Sequence, residues 1–138
     1  MRRQTLLDTD IVLLLMRGHE IVTQNTTDYL LSFDRLSFAE LTWYEITRGY
    51  RVIGAHRQSQ VFEAFCRNCD ILPLDHKSLD CAANIYASLR KRGELIGEVD
   101  ILIAGIAFAN GIGVATRNVD HFSRIDGLYV ENWAVRET

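Results

Sequence analysis

Thr5-Leu6-Leu7-Asp8-Thr9-Asp10 runs directly into Ile11-Val12-Leu13-Leu14-Leu15-Met16. The first apolar run is too short for a helix and stops in a polar turn, which predicts a buried strand. The second run is led by acids, the residue type that caps a helix N-terminus, and Arg17-Gly18 closes it. A strand that turns at once into a helix is the opening unit of an α/β chain.

The alternation continues outward from there. His19 to Leu31 is mixed and reads as a loop with a short helix. Around Leu36, Ser37 either ends a second strand or caps the next helix, which is predicted over Phe38–Gly49 with Gly49 as its C-terminal cap. Arg57 to Asn68 is amphipathic, with Val61, Phe62, Phe65 and Cys66 on one face. Ile71 to Leu74 is a strand candidate, and Asp75 to Arg92 a longer helix carrying Leu79, Ala82, Ala83, Tyr86 and Leu89 at helical spacing. From Ile101 to Ala109 every residue is apolar or glycine; the alanines and the closing Asn110-Gly111 favour a buried helix over a strand. Ile112–Ala115 and Leu128–Val130 are the last strand candidates. Strands alternate with helices and no hairpin signal intervenes, so the expected fold class is α/β, a parallel sheet with helices on both faces. Such sheets bind ligands at the carboxyl ends of their strands.

Composition sets the outer bounds. The chain has 138 residues, 48% hydrophobic and 24% charged, which suits a single domain over residues 1–138 that folds without disulfides or structural metal. One proline and nine glycines exclude linker-like and low-complexity readings. The apolar runs fall short of a membrane span, and Asp8 interrupts the run after Arg2-Arg3, so neither a secretory signal nor a membrane anchor is expected. A net charge of −3 argues against a protein that coats nucleic acid, yet permits an enzyme acting on it at one local site. Three cysteines, Cys66, Cys69 and Cys81, imply a reducing, cytoplasmic setting.

The chemistry-bearing residues are acids set in apolar surroundings. Asp8 follows the first strand, at the carboxyl end where sites form. Glu45 lies four residues after Leu41 and seven after Phe38, on the expected inward face of its helix. Asp100 opens the most hydrophobic helix. A carboxylate near a core is costly unless it is paired or binds a metal, and several together repel unless a cation sits among them. Oxygen ligands of this kind suit Mg²⁺ or Mn²⁺ rather than zinc. Each acid also has a plainer use: Asp8 and Asp10 as helix caps, Glu45 at the edge of its stripe, Asp100 as a dipole acid. Together they favour the metal, because all fall at element ends that can meet over one sheet. Thr116-Arg117-Asn118-Val119-Asp120-His121 falls on the same sheet edge. Asp120 is a candidate fourth acid, and Thr116 and Asn118 are candidates to hold the acids by hydrogen bonds.

In order and spacing, Leu7-Asp8-Thr9-Asp10-Ile11, Glu45-Ile46-Thr47-Arg48-Gly49, Asp100-Ile101-Leu102-Ile103-Ala104 and Thr116-Arg117-Asn118 followed by Phe122 resemble the PIN domain, and more narrowly the VapC-type toxins of type II toxin–antitoxin systems. The resemblance runs from Leu6 to Trp133. It implies a three-layer α/β/α PIN-like fold with a mainly parallel central sheet. It implies a Mg²⁺- or Mn²⁺-dependent endoribonuclease acting on tRNA, rRNA or mRNA, a cognate antitoxin that blocks it, and a homodimer or a toxin–antitoxin hetero-oligomer. Asp8, Glu45 and Asp100 match the family's regular acids, as metal ligands and catalytic groups, with Asp120 a further catalytic candidate and Thr9, Thr116 and Asn118 around them. Many relatives carry an acid just before the phenylalanine, where this chain has His121. Arg17, Arg48 and Arg117 are candidates for RNA phosphate contacts, beside the plain reading of solvated surface cations.

Other classes compete. Cys66, Cys69, His76 and Cys81 come near a zinc-knuckle spacing, but the gap is too long and the cysteines fall on apolar faces. A catalytically weak PIN-like module that binds a partner or RNA is the alternative suggested by His121. A DNA nuclease is a further one, since acids alone do not sense the 2′-hydroxyl. Trp43 and Tyr44 beside Glu45 offer rings for base stacking, against which stands burial in a helix interface.

Overall fold

The computed structural model describes residues 2–136. β1 (Thr5–Leu7), β2 (Leu36–Ala39), β3 (Cys69–Leu72), β4 (Gly113–Ala115) and β5 (Val130–Glu131) form one sheet in the order β3-β2-β1-β4-β5, with every pairing parallel. Between and after them run α1 (Thr9–Met16), α2 (Glu20–Tyr29), α3 (Glu40–Ile53), α4 (His56–Cys66), α5 (His76–Lys91), α6 (Glu98–Ala109) and the single turn α7 (Val119–Phe122).

Both faces of the sheet are covered. Leu6, Ala39 and Val114 point into a core made with α5, α6 and α7, including Leu89, Ile103, Ile106 and Phe122. Leu7, Phe38 and Ala115, their chain neighbours, point the other way into a core of Ile11, Val22, Tyr29, Ile46, Phe62 and Trp133. Alternation along each strand therefore feeds two apolar layers, and the expected three-layer α/β/α architecture holds. The order places β1 and β4 side by side although the chain leaves them in opposite directions across the sheet. Their carboxyl ends, Leu7 and Ala115, lie in register, so the residues that follow each strand meet at the switch point.

Several local expectations are corrected. His19–Leu31 holds a full helix, α2, rather than a short one. Phe38 belongs to β2, because all four residues of that strand are buried between β1 and β3. The helix therefore starts at Glu40 and runs on to Ile53, where Gly54 in the left-handed region caps it; Gly49 sits inside the helix. Strand β3 begins at Cys69, two residues before the expected Ile71. In α5 the buried stripe is Ser78, Ala82, Ile85 and Leu89, whereas Leu79 and Tyr86 are exposed. Val61 likewise faces outward and Phe62 inward. Tyr44 is 54% and Trp43 36% exposed, so the expected burial of the pair in a helix interface is overturned for both residues.

Candidate active site

Asp8 is the first residue beyond β1 and the N-cap of α1. Its backbone N–H donates to the Ala115 carbonyl at 2.9 Å, which ties the two strand ends together. Its carboxylate accepts from the Thr9 N–H at 2.8 Å and from the Thr116 hydroxyl at 2.9 Å. Only 6% of the residue is exposed. Burial, then the neighbouring Asp10 charge and, more weakly, Asp100, push its carboxyl up to about 7, against the pull of the two hydrogen bonds.

Asp10, two residues on, faces the same place from the first turn of α1. One oxygen accepts from the Arg117 N–H at 3.3 Å; the other, Oδ1, is buried with no partner. Burial raises its acid as well, offset by hydrogen bonds from the backbone and by the charge of Arg117. Sequence reasoning had given Asp10 only a capping use. The signal was available: two acids flanking one residue in a strand-to-helix turn both sit at the strand's carboxyl end.

Glu45, half-buried on α3, accepts at 2.7 Å from the Thr9 hydroxyl, which stands 2.9 Å from the hydroxyl of the fully buried Thr42. The hydroxyls relay in one direction, Thr42 to Thr9 to Glu45, and tie the carboxylate to the first residue of α1. The seven-residue spacing from Phe38 is no longer the reason, since Phe38 is in the strand.

Asp100 lies in the first turn of α6, where the helix dipole favours an anion. Its Oδ2 is 3.5 Å from Asn118 Nδ2 and 3.4 Å from His121 Nδ1. Asn118 Nδ2 is also 2.6 Å from His121 Nδ1. Thr116 links the two halves: its hydroxyl donates to Asp8 while its oxygen accepts from the Asn118 N–H at 2.8 Å.

Among the described residues, no three His, Cys, Asp or Glu side chains stand close enough to hold one metal ion as placed. The structure brings Asp8, Asp10 and Asp100 within reach of one another's charge but does not close them into a ligand cage. The donor set nevertheless suits a divalent cation: it is oxygen-rich, buried and mutually repulsive, and the Asp10 oxygen without a partner fits one.

The remaining candidates sit further out. Asp120 is exposed on the first turn of α7. Arg117 is exposed, with its backbone on Asp10. The Arg48 guanidinium lies 5.1 Å from the centre of the Tyr44 ring, one residue along α3 from Glu45. Arg17 caps the far end of α1, about 13.5 Å along the axis from Asp8. The cysteine constellation takes no part in this site. Burial pushes the thiols of Cys66 and Cys69 up to about 11 and about 12, and among the described residues the cysteines and His76 form no cluster that could hold a metal ion.

Known proteins resemble this chain in sequence and in fold. The PIN domain family matches residues 5–128, and the chain belongs to that family. Ribonuclease VapC2 of Haemophilus influenzae is 32% identical over 131 residues, 93% of this chain and 96% of that protein. A tRNA(fMet)-specific endonuclease VapC of Salmonella typhimurium is 30% identical over 104 residues, 75% of this chain and 79% of that one. Among solved structures, DNA-bound VapBC from Salmonella typhimurium matches with a TM-score of 0.84 at 26% identity, over 96% of this chain and 99% of that one. Within the PIN-domain family, the chain is of the VapC type.

Proposed function

We propose that this chain is a divalent-metal-dependent endoribonuclease toxin of the cytoplasm that hydrolyses RNA phosphodiesters and is silenced by a cognate antitoxin. The observation that carries the reading is Asp8: a carboxylate buried at the switch point beside the charges of two further acids, where a bound cation would offset the burial and repulsion that raise its acid. Curated relatives are named as ribonucleases or endonucleases, two of them tRNA(fMet)-specific, and solved relatives are toxin–antitoxin complexes. These support RNA as substrate and a protein inhibitor as partner. A homodimer, alone or within a toxin–antitoxin hetero-oligomer, belongs to the same proposal.

Asp8 and Asp100 would hold Mg²⁺ or Mn²⁺, with Glu45 as the third carboxylate and the exposed Asp120 as an outer acid. A divalent ion held there would supply Lewis-acid polarisation of the phosphodiester and activation of water. Thr116 fixes the Asp8 carboxylate through its hydroxyl, and Thr9 fixes Glu45, so neither acid spends its orientation on solvent. One of the carboxylates takes a proton from the attacking water. Asn118 steadies Asp100. Arg117, Arg48 and Arg17 are the cations proposed for RNA phosphate contacts.

The test is cleavage of a mixed RNA pool by the purified chain with Mg²⁺, Mn²⁺ or EDTA, beside Asp8→Asn and Asp100→Asn. Cutting that needs the ion and disappears in both variants is expected. Cutting that both variants retain would overturn the proposal.

A further inference from the structure

The position before Phe122 carries an imidazole rather than a carboxylate, and the structure shows where that ring goes. His121 Nδ1 lies 3.4 Å from Asp100 Oδ2. Asn118 Nδ2 sits against both, 2.6 Å from the ring nitrogen and 3.5 Å from the carboxylate oxygen. When Nδ1 carries no proton, the Asn118 amide donates to it and the ring proton is on Nε2. In that tautomer a nitrogen lone pair and an Asp100 oxygen lone pair both face the place where Asn118 Nδ2 stands. Two ligand atoms at right angles around a small divalent ion stand about 3 Å apart, given bonds of roughly 2.1 Å. The separation of 3.4 Å is close to that edge. The side chains of His121 and Asp100 are 40% and 23% exposed, so the pair is reachable from solvent.

We infer that His121 is a nitrogen ligand of the cation held by Asp100, and that it turns this centre toward Mn²⁺ and related transition ions and away from Mg²⁺. The inference rests on the metal reading above and deepens it. Imidazole binds first-row transition ions far better than Mg²⁺, which takes oxygen almost exclusively and keeps much of its water. Replacing the ring with a carboxylate would restore an all-oxygen set. Asn118 is then the group that holds Asp100 and His121 ready before the ion arrives, its N–H donors satisfying the lone pairs that the ion later takes.

The experiment measures binding rather than turnover. MnCl₂ and MgCl₂ are each titrated calorimetrically into the purified full chain, into His121→Ala and into His121→Asp, and the Mn²⁺-loaded samples are examined by pulsed electron paramagnetic resonance for ¹⁴N coupling. The wild-type chain is expected to bind Mn²⁺ roughly tenfold or more tighter than Mg²⁺, the scale on which groups around a bound metal alter affinity. It should also show an imidazole ¹⁴N coupling. His121→Ala should lose the coupling and most of the Mn²⁺ preference, and His121→Asp should gain Mg²⁺ affinity. The half-exposed ring makes both variants compatible with folding, and circular dichroism checks this. If Mn²⁺ binds with no nitrogen coupling, or if the coupling survives in His121→Ala, His121 is not a ligand and the inference falls while the carboxylate centre stands. If neither ion binds the wild-type chain, the metal reading falls with it.

Discussion

Asp8 is stabilised least by the fold that depends on it most. Its acid ionises near 3.8 when exposed and near about 7 in the folded chain. Between those values the native state holds the extra proton, so without added divalent ion stability declines as pH rises from about 4 to about 7 and levels off above. The gap corresponds to at most about 4 kcal/mol. Asp8→Asn removes it while keeping an oxygen for the Thr9 N–H and a donor for Thr116. That variant is expected to lose cleavage and yet unfold later at pH 8, by about 1–3 kcal/mol. Equal losses of melting temperature at pH 4 and pH 8 would show that the burial of charge is not the cause. Saturating Mg²⁺ or Mn²⁺ should flatten the wild-type slope, and EDTA should restore it. Thr116→Val keeps the shape of a fully buried side chain and deletes the donor to Asp8. A 10–100-fold loss in cleavage rate with a small change in stability is expected, the usual effect of removing a hydrogen bond to a metal-binding group.

At the scale of elements, two glycines test the helices from opposite sides. Gly105 in α6 lies against α5, where an added Cβ would stand 2.6 Å from the Ser78 carbonyl and 2.8 Å from the Ala82 Cβ. Backbone is in the way, so Gly105→Ala should destabilise by about 1–3 kcal/mol despite alanine's better helix propensity. Gly49 is exposed inside α3, and nothing lies within 4 Å of where a Cβ would go. Gly49→Ala should stabilise by roughly 0.5–1 kcal/mol. Were Gly49 the helix cap that its position in the sequence suggests, the same change would be unfavourable. Urea denaturation of the two variants separates these outcomes. The misplacement has a physical origin. Phe38 and Ala39 suit helix and strand alike, and only pairing of β2 on both sides decides for the strand, which shifts the helix toward Ile53.

At the scale of the molecule, the C-terminal segment closes the apolar layer under α2. Trp133 is 1% exposed, lies against Tyr29, accepts at its carbonyl from the Asn25 side chain at 2.8 Å and carries Arg2 over its ring. First turns, last segment and second helix are thus one unit. Trp133→Ala should cost about 3–5 kcal/mol, read as a lower midpoint in thermal unfolding. The switch point depends on the same closure, because β5 pairs with β4 immediately beside Ala115 and Thr116.

What the sequence alone determined follows from local rules. Apolar run length, acids at helix starts and the absence of hairpin signals are enough for a parallel α/β sheet, and they place Asp8, Asp100 and the Thr116–His121 turn at strand or helix ends facing one edge. Only the tertiary structure decided which strands are neighbours. The order β3-β2-β1-β4-β5 brings Asp8 to Thr116 across 108 positions of the chain. It likewise gave Asp10 a buried oxygen without a partner, set Thr9 under Glu45 and turned His121 toward Asp100. These are contacts between residues far apart in the chain, and no periodicity encodes them. They arise when two apolar layers close on a sheet and carry along whatever polar groups stand at its rim.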